Sequence, residues 1–483
     1  MGTISSAFSS MSQALDADQS ALNIVANNVA NANTPGYTEE TPNWQENQPL
    51  VIDGVSYGAG VAETGPTSIR DSVLNQRLDQ QQQLASASTA RLAALNTVQA
   101  LFTPDSGSSA STAGDIGSDL TSFFNSFSSL EANPADSSLR EEVLSSAGIL
   151  AGDISNAAAS LDTQQSALDQ EAAGVASQVN ALTGSLAQLN QQIESTSPDA
   201  DAGTLQDQRQ QDLSQLSQLI GVNQVTTQDN GLSITTTSGQ LLVSGNENFQ
   251  LTTGSVGGAT HFFVGTTDIT SQLASGGGQL GGYLTARDVD IPSVLGSLDQ
   301  LAYGVSTQVN DLNNTGTDLD GNTGNASNPD ASPLYIFNQP TQVAGSAAAM
   351  SVVMTDPNQI AAAAGPTAND PNPGTGDNSN AVAIAKLAST AIVNGQLPSE
   401  FYSNLVTTLG STVSAVQTEN TAQNASVTQL QTQNNSLSEV NLNDEASAMT
   451  MLERSYQAAS QVFTMLNTIM ASALNLGEQA TVS

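Results

Sequence analysis

The sequence predicts a mainly α protein: long terminal and central coiled-coil helices in an elongated rod, with a small antiparallel β region inserted in the middle. Three patterns carry this expectation. Ile4, Phe8, Met11, Leu15, Leu22, Val25 and Val29 alternate by four and three, with Asp18 in the one gap. In the middle, Ile154, Leu161, Leu168, Val175, Leu182 and Leu189 form a heptad repeat, accompanied by Ala158, Gln165, Ala172, Val179, Leu186 and Ile193. Both are seams of helices packed lengthwise against other helices. From Val222 to Val264 the period changes, Thr, Val, Ile and Gly dominate, and Asn230-Gly231 suits a type I′ hairpin turn.

Taken in order, the first helix meets no glycine between Thr3 and Pro35 and spans roughly 28 residues, about 42 Å. Pro35 stops it, because the residue before a proline is pushed out of the α region. Gly36 can take the positive φ of a type II turn, and Tyr37 offers a ring to anchor the emerging chain. Thr38 to Val61 reads as an extended connector with short strands, its single tryptophan, Trp44, placed as a local core anchor and otherwise as a subunit-contact residue.

A second long helix is expected from Ile69 to Phe102, broken by Pro104 and a Ser/Gly-rich run. A short one bearing Leu120, Phe123, Phe124, Phe127 and Leu130 follows. The central seam implies a helix from about Ser138 to Glu194, roughly 85 Å long. Gly174 and Gly184 weaken it by about 1 kcal/mol each relative to alanine. Leu205 to Ile220 forms a further helix with Gly221 at its C-cap.

His261, the one histidine, belongs on a strand face. Gly277 to Gly282, followed by Tyr-Leu-Thr, reads as strand more than helix. A helix returns through Leu295, Leu298, Ala302, Val305, Val309 and Leu312. Asp318 to Asn322 matches a calcium loop poorly, with Thr323 where glycine is needed and no closing glutamate. Met350 to Val353 is a candidate strand, Gly365 to Asn380 a linker and Ala381–Val393 helical. Ser399 to about Leu437 is a long helix with Gln423 and Asn434 on its seam.

The last helix is apolar on two faces. One carries Met449, Leu452, Tyr456, Phe463, Leu466 and Met470; the other carries Met451, Val462, Met465, Ile469 and Leu476. A helix with two apolar faces needs two neighbours. The N-terminal helix supplies one, and the second face calls for other subunits. The expected organisation is an inner domain of residues 1–37 plus 438–483. A helical rod of 38–437 carries a β subdomain at about 222–275 and a short insert at about 332–365. Candidate assembly residues are the two seams together with Asn33, Pro35, Gly36 and Tyr37.

Eight Lys and Arg face 45 Asp and Glu, a net charge of −37, so no basic stripe exists for nucleic acid or an anionic membrane. Neither a transmembrane run nor the basic and apolar blocks of a cleaved secretory signal is present. There is no cysteine, HExxH, GxSxG elbow or P-loop. No catalytic, cofactor or metal site is expected.

Asn27-Asn28-Val29-Ala30-Asn31-Ala32-Asn33-Thr34-Pro35-Gly36-Tyr37 resembles the signature of the flagellar axial (rod, hook and hook–filament junction) proteins. The entry Val440 to Glu445, leading to Tyr456-Gln457-Ala458-Ala459, resembles that family's C-terminal motif. Gln206 to Arg209, Leu213 to Leu216, Ile220 to Val222 and Gly278 to Asp288 are similar to internal motifs of its hook–filament junction branch. The resemblance implies an extracellular structural subunit forming a ring between hook and filament. It implies export through the flagellar type III channel, with a chaperone and no cleaved signal. Its partners would be further copies of itself, hook protein, and the second junction protein or flagellin. Another axial protein, such as a second junction protein, a flagellin or a distal rod or hook subunit, is the alternative. The family's large outer domain has only about Ser332 to Gly365 available here.

Overall fold

A computed structural model describes residues 2–52, 54–103, 116–196, 201–324, 332–370 and 373–479. The break expected at Pro104 lies outside them. The first helix, α1, runs Gly2–Asn31. Strands β1 (Glu40–Glu46) and β4 (Val61–Ser68) form an antiparallel ribbon, with the hairpin β2 (Leu50–Ile52) and β3 (Val55–Tyr57) between them. Then come α2 (Ser72–Leu101), α3 (Ile116–Ala132), the 60-residue α4 (Ser137–Thr196) and α5 (Thr204–Leu219). Asp71 caps α2, its carboxylate accepting from the Val73 and Leu74 amides.

The β region holds two sheets. Strands β5 (Val222–Thr226), β6 (Leu232–Thr236), β7 (Leu241–Ser244) and β8 (Glu247–Asn248) form an antiparallel meander. Strands β9 (Leu251–Val256), β10 (Ala259–Val264) and β11 (Thr267–Asp268) form the second. His261 sits on β10 and bonds Asp268 at 2.6 Å. Next come α6 (Thr270–Gly276), α7 (Gly278–Thr285), α8 (Ile291–Thr315), α9 (Ser346–Ala349) and α10 (Ser379–Ala385). The chain returns through α11 (Pro398–Ser438) along α2 and ends in α12 (Leu442–Gln479) against α1.

One seam on α4 serves two cores. Ile154, Leu161 and Leu168 pack with α3, α8 and the first part of α11, where Phe123, Phe127 and Phe337 meet at ring distances near 5.4 and 5.5 Å. Farther along, Val175, Val179 and Leu186 face Leu213 and Leu216 of α5, Ile234 and Val243 of the meander, Phe262, and Leu280 and Leu284 of α7. Heptad spacing therefore marks a spine with several partners.

Buried amides hold the irregular chain that follows α8. Asn310 donates to Phe337 O and accepts from the Ile336 and Phe337 amides; Asn313 donates to Leu334 O and accepts from the Ala361 amide. Arg140, 1% exposed, donates to the carbonyls of Pro134 and Ile360 at 2.8 and 2.6 Å. These side chains replace the sheet ladder that such a segment lacks.

Five local expectations change. Asn230-Gly231 is no type I′ turn: residues Gln228–Asn230 form a 3₁₀ turn, and Gly231 sits at φ −68°, whereas type I′ needs two positive φ values. Gly278–Thr285 is helical, because Gly282 lets α7 lie directly on α2; a Cβ there would strike the Ala87 carbonyl. Met350 to Val353 makes one isolated bridge, Phe337 to Val352, instead of a strand. The helix from Ala381 ends by Ser389, since the chain turns at Val393 to Gln396. Trp44 is 46% exposed, because on its ribbon it borders an open groove toward α1 and α12 and not a closed core.

Candidate assembly interface at the terminal helices

Helices α1 and α12 run antiparallel, since Phe8 lies against Phe463 at one end and Asn28 against Glu445 at the other. The Phe8 and Phe463 rings are 4.4 Å apart, tilted by 35°. Ile4, Phe8, Met11, Leu15 and Leu22 are half-buried, as are Met449, Leu452, Phe463, Leu466 and Met470. Val25 is buried, whereas Val29 and Tyr456 are 40% and 38% exposed. The most buried line on α1 is Ala17, Ala21, Ile24 and Asn28, one residue behind the sequence seam. Helix α1 turns that line inward because it packs on the β1–β4 ribbon as well as on α12. The outer stripe of α12 stays open, with Met451 71%, Met465 58% and Ile469 51% exposed. The Leu476 side chain lies outside the described residues. A groove of about 400 Å³ lies between the helices and the ribbon, lined by Met11, Ala17, Trp44, Val61, Ala459 and Val462.

The joint to the rod is polar. Asn28 is 1% exposed. Its amide nitrogen donates to Glu40 O at 2.8 Å and to Glu445 Oε1 at 2.7 Å. Its carbonyl oxygen accepts from Tyr37 Oη at 2.8 Å and from the Glu40 amide at 3.1 Å. One side chain thus ties together the first helix, the turn, the first strand and the last helix. In the turn, the Tyr37 amide donates to Thr34 O at 3.2 Å and Gly36 takes φ +82°, as a type II turn requires at its third position. Asn33, Pro35 and Gly36 are exposed, and Tyr37 is half-buried.

The chain beyond the turn is fastened to α5. Thr38 donates to Asp207 from its amide and its hydroxyl, at 3.0 and 2.7 Å, and Arg70 pairs with Asp207 at 2.7 Å. The Glu39 amide donates to Ser438 O at 2.9 Å, joining the outgoing and returning chains. Acids outnumber bases here, and several carboxyls sit above their usual range. Glu445 is raised by burial and by Asp444, against the Asn28 bond that lowers it. Glu40 is raised by burial and by Asp201 and Asp207, Glu39 by burial and by Glu445. Burial and Glu40 push the Tyr37 phenol upward too.

Asn28, Thr38, Arg70, Asp207 and Glu445 escaped assignment from sequence. The available signals were the motifs that contain Asn28, Asp207 and Glu445; Thr38 and Arg70 had none. Among the described residues no group of His, Cys, Asp and Glu is disposed to hold a metal, and no helix is long and apolar enough to cross a membrane.

Residues 106–326 match the family described as flagellar hook-associated protein FlgK helical domain, and residues 10–38 match the flagella basal body rod protein family. The flagellar hook-associated protein 1 of Salmonella typhimurium is 26% identical over 96% of this chain and 98% of its own length. The protein of that name from Bacillus subtilis is 26% identical over 96% of both chains. Over nearly its whole length the chain is similar to flagellar hook-associated protein 1. This structural flagellar family also supplies a solved relative, the hook junction protein FlgK from Burkholderia pseudomallei. Its TM-score is 0.62 at 19% identity, covering 74% of this chain and 99% of that one. That likeness places the long helices and the inserted β region in the fold of the family.

Proposed function

We propose that this chain is the structural subunit of the junction between flagellar hook and filament, and that its terminal helices are the surface through which copies assemble. The observation that carries the reading is the open stripe on α12 opposite the face that meets α1. Met451, Met465 and Ile469 are more than half exposed in a single chain, and such a stripe in water favours a further partner. Charge points the same way. Copies of a −37 chain repel one another, so contacts between them are favoured where charge is scarce. Residues 19–38 and 455–477 contain no charged side chain.

On this reading the seam residues form an inner layer of paired terminal helices. The turn at Asn33, Pro35, Gly36 and Tyr37 joins that layer to the rod, and the rod faces outward. Its partners are copies of itself, hook protein and the second junction protein or flagellin, reached after export with a chaperone. Imaging the hook tip in a strain lacking the chain tests this directly. Hooks without filaments, restored by the intact gene, are expected; filaments of normal length without the chain would refute it.

A further inference from the structure

We propose that Asp79 takes up and releases a proton within the folded chain, and that this proton sets how tightly α2, α5 and β5 hold together. Asp79 lies on α2 and is 3% exposed. Its Oδ2 accepts from Gln210 Nε2 of α5 at 3.0 Å and from Gln224 Nε2 of β5 at 3.3 Å. Its Oδ1 is buried without a partner, as is Ser217 Oγ of α5. Asp79 and Ser217 line one cavity of about 10 Å³ with Gln80, Gln83, Leu213 and Gln224, too small for anything beyond a water-sized group.

No cation faces this carboxyl. From α2 the neighbours are Gln76, Gln80 and Gln83, and Arg77 of that helix is exposed to solvent. From α5 they are Gln210, Leu213 and Ser217, and β5 presents Val222 and Gln224. The charged residues of α5 are engaged elsewhere: Asp207 with Thr38 and Arg70, Arg209 with Asn190 and Asn230 O, Asp212 with Ser185. Strand β5 has no charged residue. Asp79 also borders the larger groove beneath the Asn31–Thr38 turn, where Tyr37, Arg70, Asp207 and Glu439 line the wall. None of these charges contributes to its shift: burial alone pushes it up, to about 7, against the two amide donors.

The ionised form therefore leaves a buried charge with one oxygen unsatisfied, which is strongly unfavourable. The protonated form keeps both glutamine bonds on Oδ2 and, with its hydrogen on Oδ1, leaves no charge in the cavity that Asp79 shares with Ser217. The sign follows from linkage. Between the usual 3.8 and about 7 the native chain binds a proton that the unfolded chain does not, so its stability falls as pH rises through that window and then levels. The device acts where the terminal turn meets the rod, so the proton weakens or firms that seat without touching the terminal helices.

Asp79→Asn supplies a permanent neutral equivalent. Melting of the full chain should show the variant matching wild type within about one degree at or below the usual 3.8, drawing ahead through the window and exceeding it by several degrees near pH 8. Hydrogen exchange read by peptide should place the wild-type loss of protection in α2, α5 and β5. Parallel melting profiles across that range would overturn the proposal. Ser217→Ala, which is smaller and keeps the helix, provides the second reading. It takes a polar group from the cavity beside Oδ1 and adds no charge, so the wild-type transition should persist at the same or a higher pH; its loss or a fall to lower pH would overturn the proposal.

Discussion

Asn28 and Glu445, 417 residues apart in sequence, meet through a 2.7 Å hydrogen bond inside the protein. The bond closes the chain upon itself, fixing the start of α12 beside the end of α1. Because both partners are buried, neither can turn to water when the other is removed.

Asn28→Leu should therefore release the terminal pair while leaving the rod intact. It strips partners from Glu445, Tyr37 and the Glu40 backbone, each buried polar group costing about 1–3 kcal/mol when orphaned. Limited proteolysis should then remove residues near 1–33 and 441–479 faster than in wild type, with the main thermal transition unmoved. Unchanged cleavage would show that the amide is not the tie described.

The same joint should loosen as pH rises. Glu39, Glu40 and Glu445 are all raised above their usual 4.5. A carboxyl raised in the folded state holds its proton longer there than in the unfolded chain. Its stabilising effect is present at low pH and is lost as pH climbs from the usual value through the folded one. Hydrogen exchange in the first turns of α12 should accelerate between about pH 4.5 and the folded-state values, and Glu445→Gln should reduce the effect.

Gly36→Val tests the turn. At φ +82° a β-branched residue is strongly disfavoured although open space surrounds the position. The purified variant should melt like wild type, since both cores lie elsewhere. A strain carrying only the variant should fail to join hook to filament. Normal swimming would reduce the turn to an ordinary helix stop.

Arg140 is a buried cation bound to backbone carbonyls. Desolvation lowers its pKa, and the Asp318 and Asp320 charges oppose that fall. Arg140→Met should cost the rod about 2–4 kcal/mol by freeing the Pro357 to Ile360 loop and leaving its carbonyls unpaired. Calorimetry should show a lowered melt of the rod, and a change below about 0.5 kcal/mol would contradict this.

Much of the fold was legible because it repeats. The α4 seam from Ile154 to Leu189 and the turn at Pro35-Gly36 follow from spacing and backbone preference alone. The candidate site was legible only in part. Sequence periodicity ran the α1 seam through Leu22 and Val25, whereas Ala21, Ile24 and Asn28 are also buried, because the β1–β4 ribbon takes a second face that no local pattern announces. Helix α7 was hidden by its glycines, whose purpose is a close approach to α2 and so depends on tertiary packing. The Asn28, Glu445 and Asp207 ties join distant segments; each lies in a motif of the resemblance, but nothing in the local pattern shows that they meet. Trp44 escaped the core because the helices facing its strand leave an open groove there, whereas a large apolar side chain ordinarily sits in closed packing.

The central claim is that the terminal helices form the assembly surface, and Phe463→Asp tests it most directly. Phe463 stacks on Phe8 and is half-buried, so a charge there disrupts the α1–α12 pair while both rod cores stay untouched. The measurement pairs the thermal melt of the purified chain with motility and shed filament protein in a strain carrying only the variant. The account predicts a wild-type rod melt, export of the variant, no attached filaments and filament protein in the medium. Attached filaments and wild-type swimming with Asp at position 463 would contradict it.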